Sequence, residues 1–263
     1  MNLTAFYEPA GDGEYHALEA TMSPWDVRLQ HGSPPTALLT YAMETNHPRD
    51  GMRAGRIAVE FLGPMPRGRM RARTRVSRPG KRIELLEGVL ENDGREIVSA
   101  RLWRIATQAP GAIPAAAIAT RALPPRPESG HVASFAHDDN WAYHHAIDWR
   151  FTRGRFDAHG NAAVWTRVRI PLIAGEPLRP LDRLLLIADS ANGISAVLPF
   201  GEWLFVPPSL SLALQRHPAG EWTFMEAETT LGPDGLGVTN ARFADESGEL
   251  GVGSQPLLVE PRR

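Results

Sequence analysis

No cysteine occurs anywhere in this chain. That excludes disulfides, thiolate-bound zinc, iron–sulfur clusters and thiol nucleophiles together. No apolar run approaches the length of about 20 residues that a membrane-spanning helix needs. Residues 1–9 lack a basic stretch followed by an apolar one, so no signal peptide is expected and the default location is the cytoplasm. The motif Gly-x-Ser-x-Gly is also missing, which removes a nucleophile elbow. Basic excess is absent too, the net charge being −2, and a nucleic-acid partner is therefore not expected.

What remains is an ordinary globular composition over 263 residues, 43% hydrophobic and 22% charged, sufficient for one large or two small domains with a real core. The charge is unevenly spread. Residues 51–105 carry 13 Arg/Lys against 6 Asp/Glu, whereas residues 221–260 carry one Arg against 8 Asp/Glu. Residues 107–130 cluster proline and glycine toward their ends with almost no charge and read as a linker. The predicted division is an N-terminal unit over 1–106, a linker over 107–135 and a C-terminal unit over 136–263.

The two halves follow one pattern. Strands are expected over 56–62, 69–78, 82–91 and 96–105, and again over 210–216, 223–231, 236–244 and 249–259, with Gly-, Pro- or Asp-containing turns between them. Such spacing predicts hairpins in an antiparallel meander. Before each set lies one helix candidate, residues 34–44 and 181–197, apolar around most of its circumference and so expected to be buried. Ser33 and Pro34 suit an N-cap and a first helical position. The fold class is therefore α+β, with each sheet curling around its helix.

Asp189 stands in LLLIADSA, within an otherwise apolar helix, where desolvation would raise its pKa toward that of a useful general base. The bland alternative is a buried Asp bonded to backbone or to Asn192. Gln255, on the last strand, can donate and accept at once, or is simply a polar residue of a half-exposed face. Ser209 and Ser211 share one strand face. A hydroxyl there serves either a water or a close helix–sheet approach. His31 and Gly32 precede the first helix, whose N-terminal N–H groups could polarise a carbonyl. His137, Asp138, Asp139, His144 and His145 are metal-ligand types, but adjacent His residues on a strand point apart, and no metal is expected. Arg67, Arg69, Arg71, Arg73 and Arg75 alternate along one strand, either as a phosphate-binding face or as a solvated one that discourages edge pairing. The acidic second half could pair with them.

One helix wrapped by an antiparallel sheet, twice in one chain, resembles the double hotdog arrangement. The segment IAVEFLGPMPRGRMRARTRVSRPGKRIELLEGVLENDGREIVSARL is similar to the N-terminal half of acyl-CoA thioesterases of the thioesterase II type. LLLIADSANG, SLSLALQRHPAGEW and FADESGELGVGSQPLLV are similar to their C-terminal half. The resemblance implies hydrolysis of an acyl-CoA thioester to free acid and CoA, in lipid metabolism, with no cofactor. It implies a water held by Asp189, Gln255 and Ser211, with Ser209, His31 and Gly32 toward the substrate. It also implies a homodimer or homotetramer. The first helix has no carboxylate until Glu44, so one working site per chain is expected. Two alternatives stay open: an acyl-CoA or acyl-lipid binding protein without catalysis, and a hotdog-fold dehydratase. The latter chemistry favours a His with a carboxylate partner, and no His lies in the second long helix.

Overall fold

The computed structural model describes residues 2–109, 111–118, 121–132 and 141–262. The first half runs β1 (Tyr7–Gly11), β2 (Glu14–Ala17), α1 (Ser33–Asn46), β3 (Met52–Phe61), β4 (Arg69–Arg78), β5 (Ile83–Asn92) and β6 (Arg95–Ala106). The second half opens with β7 (His131–Val132), α2 (Ala142–His145), β8 (Ile147–Arg153), β9 (Ala162–Val168), α3 (Pro180–Ala188) and α4 (Ala191–Ile194). It closes with β10 (Trp203–Val206), β11 (Ser209–Leu214), β12 (Thr223–Leu231), β13 (Leu236–Asp245) and β14 (Gly248–Pro261).

All strands belong to one antiparallel sheet in the order β1-β2-β4-β5-β6-β3-β11-β14-β13-β12-β9-β8-β7, with β10 on the end of β14. The hairpins β4–β5–β6 and β12–β13–β14 follow the turn signals of the sequence. The expected hairpins β3–β4 and β11–β12 do not form. β3 instead pairs with β6, and β11 with β14, so the first strand of each set closes onto the last. The connection after β3 is held by Leu62 N–H donating to Ile97 O, and that after β11 by Gln215 N–H donating to Leu250 O. This arrangement brings β3 and β11 side by side at the centre, with Ser211 opposite Ala58, and joins the halves into one sheet.

α1 is buried over 11 of its 14 residues, because it lies between the sheet and α3. Leu38, Leu39 and Met43 meet Leu86 and Ile57 of the sheet in the main core. The approach is close: a Cβ on Gly88 of β5 would lie 2.8 Å from Leu39 Cδ1. Pro34 and Pro35 stand in the first turn, where a preset φ suits a helix and a missing N–H costs nothing. Gly32, not Ser33, occupies the N-cap position.

The second helix departs further from expectation. It ends at Ala188 and resumes as one turn from Ala191 to Ile194, instead of running unbroken over 181–197. Ser190 N–H bonds the Ile187 carbonyl three residues back, a tightened last turn. Ser190, Asn192 and Gly193 are all weak helix formers. The break falls at Asp189.

The arginines of β4 point outward, as their alternation requires, but their partners lie in the first half. Arg69 and Arg71 meet Glu14, Arg73 meets Glu91, and Arg75 meets Glu87. His144 and His145 sit on the short helix α2 rather than on a strand. His137, Asp138 and Asp139 fall outside the described residues. Among the described residues no cluster of three or more His, Asp or Glu could hold a metal, and no helix is long and apolar enough to cross a membrane.

Candidate functional site

Asp189 is 6% exposed, at the end of α3. Three residues from two neighbouring elements hold it. Gln255 of β14 donates from Nε2 to Oδ1 at 2.8 Å. The Gly32 N–H at the start of α1 donates to the carboxylate. The Ser33 hydroxyl accepts from the Asp189 N–H at 3.1 Å. This cross-helix bond explains why Ser33 does not cap its own helix. Burial dominates over both donors and lifts the Asp189 pKa to about 7.

Gly32 is required by contact as well as by hydrogen bonding. A Cβ there would lie 2.5 Å from Asp189 Oδ2 and 2.9 Å from Phe61 Cζ, closer than real Cβ contacts come. His31 Nδ1 stands 3.7 Å from Oδ2, too far for a hydrogen bond. It accepts instead from Ser33 N–H at 3.1 Å, which places the proton of the neutral ring on Nε2. Burial pushes the His31 pKa down to about 3, so the ring is neutral at working pH. Its face stacks on Tyr143 at 4.1 Å. The Tyr143 hydroxyl donates to Leu186 O at 2.7 Å and also bonds Ser190 Oγ.

The helix N-terminus is therefore not an open anion site. Gly32 N–H serves Asp189, Ser33 N–H serves His31, Pro34 and Pro35 have no N–H, and Thr36 N–H is bonded to Gly32 O. The expectation that free N–H groups there polarise a carbonyl is not met.

Asp189, Gly32 and His31 open onto one cavity of about 840 Å³, with Ser190 and Asn192 beside them. Its walls are mostly apolar, among them Trp25, Phe61, Trp149, Phe200 and Phe205. Gln255 is 1% exposed and not part of the wall. It reaches the carboxylate from behind, and its own Oε1 has no partner. Ser211 and Ser209 do not join this group. They are half-exposed on the outer face, while Leu210 and Leu212, which alternate with them, point to the core. Ser211 lies between Ala58 and Ser254 on that outer face. The cavity wall beside β11 is formed by Val206, Pro207 and Pro208, none of which has a hydroxyl.

Thus the structure brings together four of the six residues singled out from sequence, Asp189, Gln255, His31 and Gly32. Ser33, Tyr143 and Phe61 are further neighbours of the carboxylate that the sequence does not signal. Their partners are up to 156 positions away, as for Ser33 and Asp189, and no local pattern marks them.

Residues 21–105 match the acyl-CoA thioesterase N-terminal domain, and residues 122–259 match the acyl-CoA thioesterase C-terminal domain. The chain belongs to the acyl-CoA thioesterase family. It is accordingly a thioester hydrolase. Solved structures agree in fold. An acyl-CoA thioesterase II from Mycobacterium marinum is 13% identical with a TM-score of 0.68, covering 97% of this chain and 96% of its own. The tesB protein of Mycobacterium avium subsp. paratuberculosis is 14% identical, with a TM-score of 0.69 and coverages of 97% and 96%. A hot-dog-fold protein of unknown function from Alicyclobacillus acidocaldarius is 14% identical, with a TM-score of 0.74 and coverages of 98% and 96%. No curated protein matches this thioesterase in sequence.

Proposed function

We propose that this thioesterase hydrolyses acyl-CoA by a water that Asp189 deprotonates. The observation that carries the reading is a desolvated carboxylate, raised to about 7, opening onto a large apolar cavity. A base poised near neutrality combines a useful ionised fraction with useful basicity. The water oxygen bonds the acyl carbon, the C–S bond breaks, and the proton taken by Asp189 passes to the departing thiolate. A thiol has a pKa near 8.5, so the transfer back is favourable. Gln255 donates to Oδ1 and the Gly32 N–H also donates to the carboxylate, so the water takes a remaining lone pair on the cavity side. His31 offers its Nε2–H as donor to the thioester oxygen.

In this reading one site operates per chain. Glu44 in α1 is held by Arg179 at 3.3 Å and has no such cavity role. We further propose two hotdog repeats with the boundaries 1–106, 107–135 and 136–263, a cytoplasmic setting, and a homodimer or homotetramer. Light scattering on the purified chain tests the last of these.

A second reading is hydration or dehydration of an enoyl or hydroxyacyl thioester. The close approach of His31 to Asp189 favours it. Against it, Nδ1 already accepts from Ser33 and the ring ionises only near pH 3.

Thiol release from short, long and aromatic acyl-CoAs, with Asp189→Ala alongside, tests the proposal. Release that falls at least a hundredfold in the variant supports it. Absence of release from every thioester by the folded protein removes it, and hydration of an enoyl-CoA instead would favour the second reading.

A further inference from the structure

The shape and chemistry of the cavity go further than the reaction. Its volume of about 840 Å³ lies toward the upper end of sites that bury a whole drug-sized molecule, roughly 300–1,000 Å³. Its walls combine aliphatic side chains, such as Leu29, Leu198 and Leu258, with two clusters of aromatic rings. On one side Trp25 stacks on Phe200 with centroids 4.2 Å apart, and Phe205 stands edge-on to Trp25 at 5.1 Å. The guanidinium of Arg262 lies over both Trp25 and Phe200, at 5.6 and 5.9 Å. The Trp149 ring belongs to another wall. It stacks on His144 at 5.9 Å and meets Phe156 edge-on at 5.3 Å. Phe61 lies against Gly32, next to the Asp189 carboxylate.

Trp25, Phe200 and Phe205 hold one another, and Trp149 and Phe156 do the same on the other wall, so these walls cannot easily collapse around a thin chain. A straight alkyl group would leave part of the wall without contact, and unfilled contact is lost dispersion energy. A planar ring can use the same walls by offset or edge-to-face packing, which aromatic pairs prefer at 4.5–7 Å.

We infer that the acyl group this site takes is aryl-bearing rather than an unbranched alkyl chain. The inference rests on the proposed thioester hydrolysis at Asp189 but is tested separately from it. Two CoA thioesters of equal carbon number serve as probes, 4-phenylbutyryl-CoA and decanoyl-CoA. Their affinities for Asp189→Asn are measured by calorimetry, and their turnover by the wild type through thiol release. The inference requires at least tenfold tighter binding of the aryl thioester, and at least a tenfold higher kcat/KM where turnover occurs. Equal or reversed affinity overturns it, whether or not the wild type turns either probe over. Hydrolysis of both without a ring preference leaves the reaction standing and removes the aryl assignment. Ring preference in binding with no hydrolysis does the opposite. Phe200→Leu keeps an apolar side chain of similar size but lacks the aromatic face. It should lower the aryl-to-alkyl ratio at least threefold, and an unchanged ratio contradicts a wall that reads the ring.

Discussion

Replacing Asp189 by Asn should raise the stability of the protein relative to wild type as pH rises. Burial lifts the folded-state pKa from 3.8 to about 7. Between those values the native protein holds a proton that the unfolded chain has lost, so stability falls as pH rises through the window. At about 1.36 kcal/mol per pKa unit, the carboxylate costs about 4 kcal/mol above pH 7 and nothing below pH 3.8. About 3 kcal/mol of that arises between pH 5 and pH 8. Asn has nearly the same shape and carries no charge; with its oxygen toward Gln255 Nε2 its amide group meets Gly32 N–H, a cost that does not vary with pH. The stability of the variant relative to wild type should therefore rise by about 3 kcal/mol from pH 5 to pH 8. Urea unfolding at both pH values, followed by the fluorescence of the seven tryptophans, measures this directly. All other titrating groups are common to both proteins and cancel. A gap of the same size at the two pH values would refute the claim that Asp189 is ionised against its surroundings.

Other consequences are equally specific. Gly32→Ala should reduce hydrolysis at least a hundredfold, because its Cβ would press on Oδ2 from 2.5 Å; overpacking of this kind costs about 1–3 kcal/mol of stability, and kinetics with unfolding curves separate the two effects. Ser211→Ala and Ser209→Ala should leave kcat/KM within twofold of wild type, since both hydroxyls lie across the sheet from the cavity, and a large loss in steady-state assays would contradict that placement. Asp245, with no exposure, is held by Arg216 and by the N–H groups of Ala219 and Ser247. Its pKa is lowered from 3.8, so its contribution is present above that value and lost as pH falls below it. Asp245→Ala leaves the partly exposed Arg216 without this partner and should destabilise by about 1.5–3 kcal/mol at pH 7, as read by denaturant unfolding.

The sequence made the meander strands readable, because their turns carry Pro-Gly, Asn-Asp-Gly and Pro-Asp-Gly and their faces alternate. It did not reveal that β3 crosses to β6 and β11 to β14. The segments after β3 and β11 look like turns, and whether a turn closes a hairpin depends on distant pairing partners. β9 was hidden because it is buried almost throughout and shows no alternation. Asp189 stood out as a charge in an apolar run. The helix break there was not visible, since its cause includes Ser33, on the other helix. The serines of β11 illustrate the converse: a strand face was identified, but a period of two does not say which face meets the core. Here Leu210 and Leu212 do, and the hydroxyls are turned away.

The dependence of acyl-CoA hydrolysis on pH, in wild type and Asp189→Asn, tests the central claim most directly. For the wild type, kcat/KM should rise tenfold per pH unit below about 7 and level off above it, with no separate step from His31, which ionises near 3. Asp189→Asn should lose at least a hundredfold in kcat/KM, about 3 kcal/mol of transition-state stabilisation, and show no inflection near 7. A variant that keeps both the rate and the inflection would contradict Asp189 as the base.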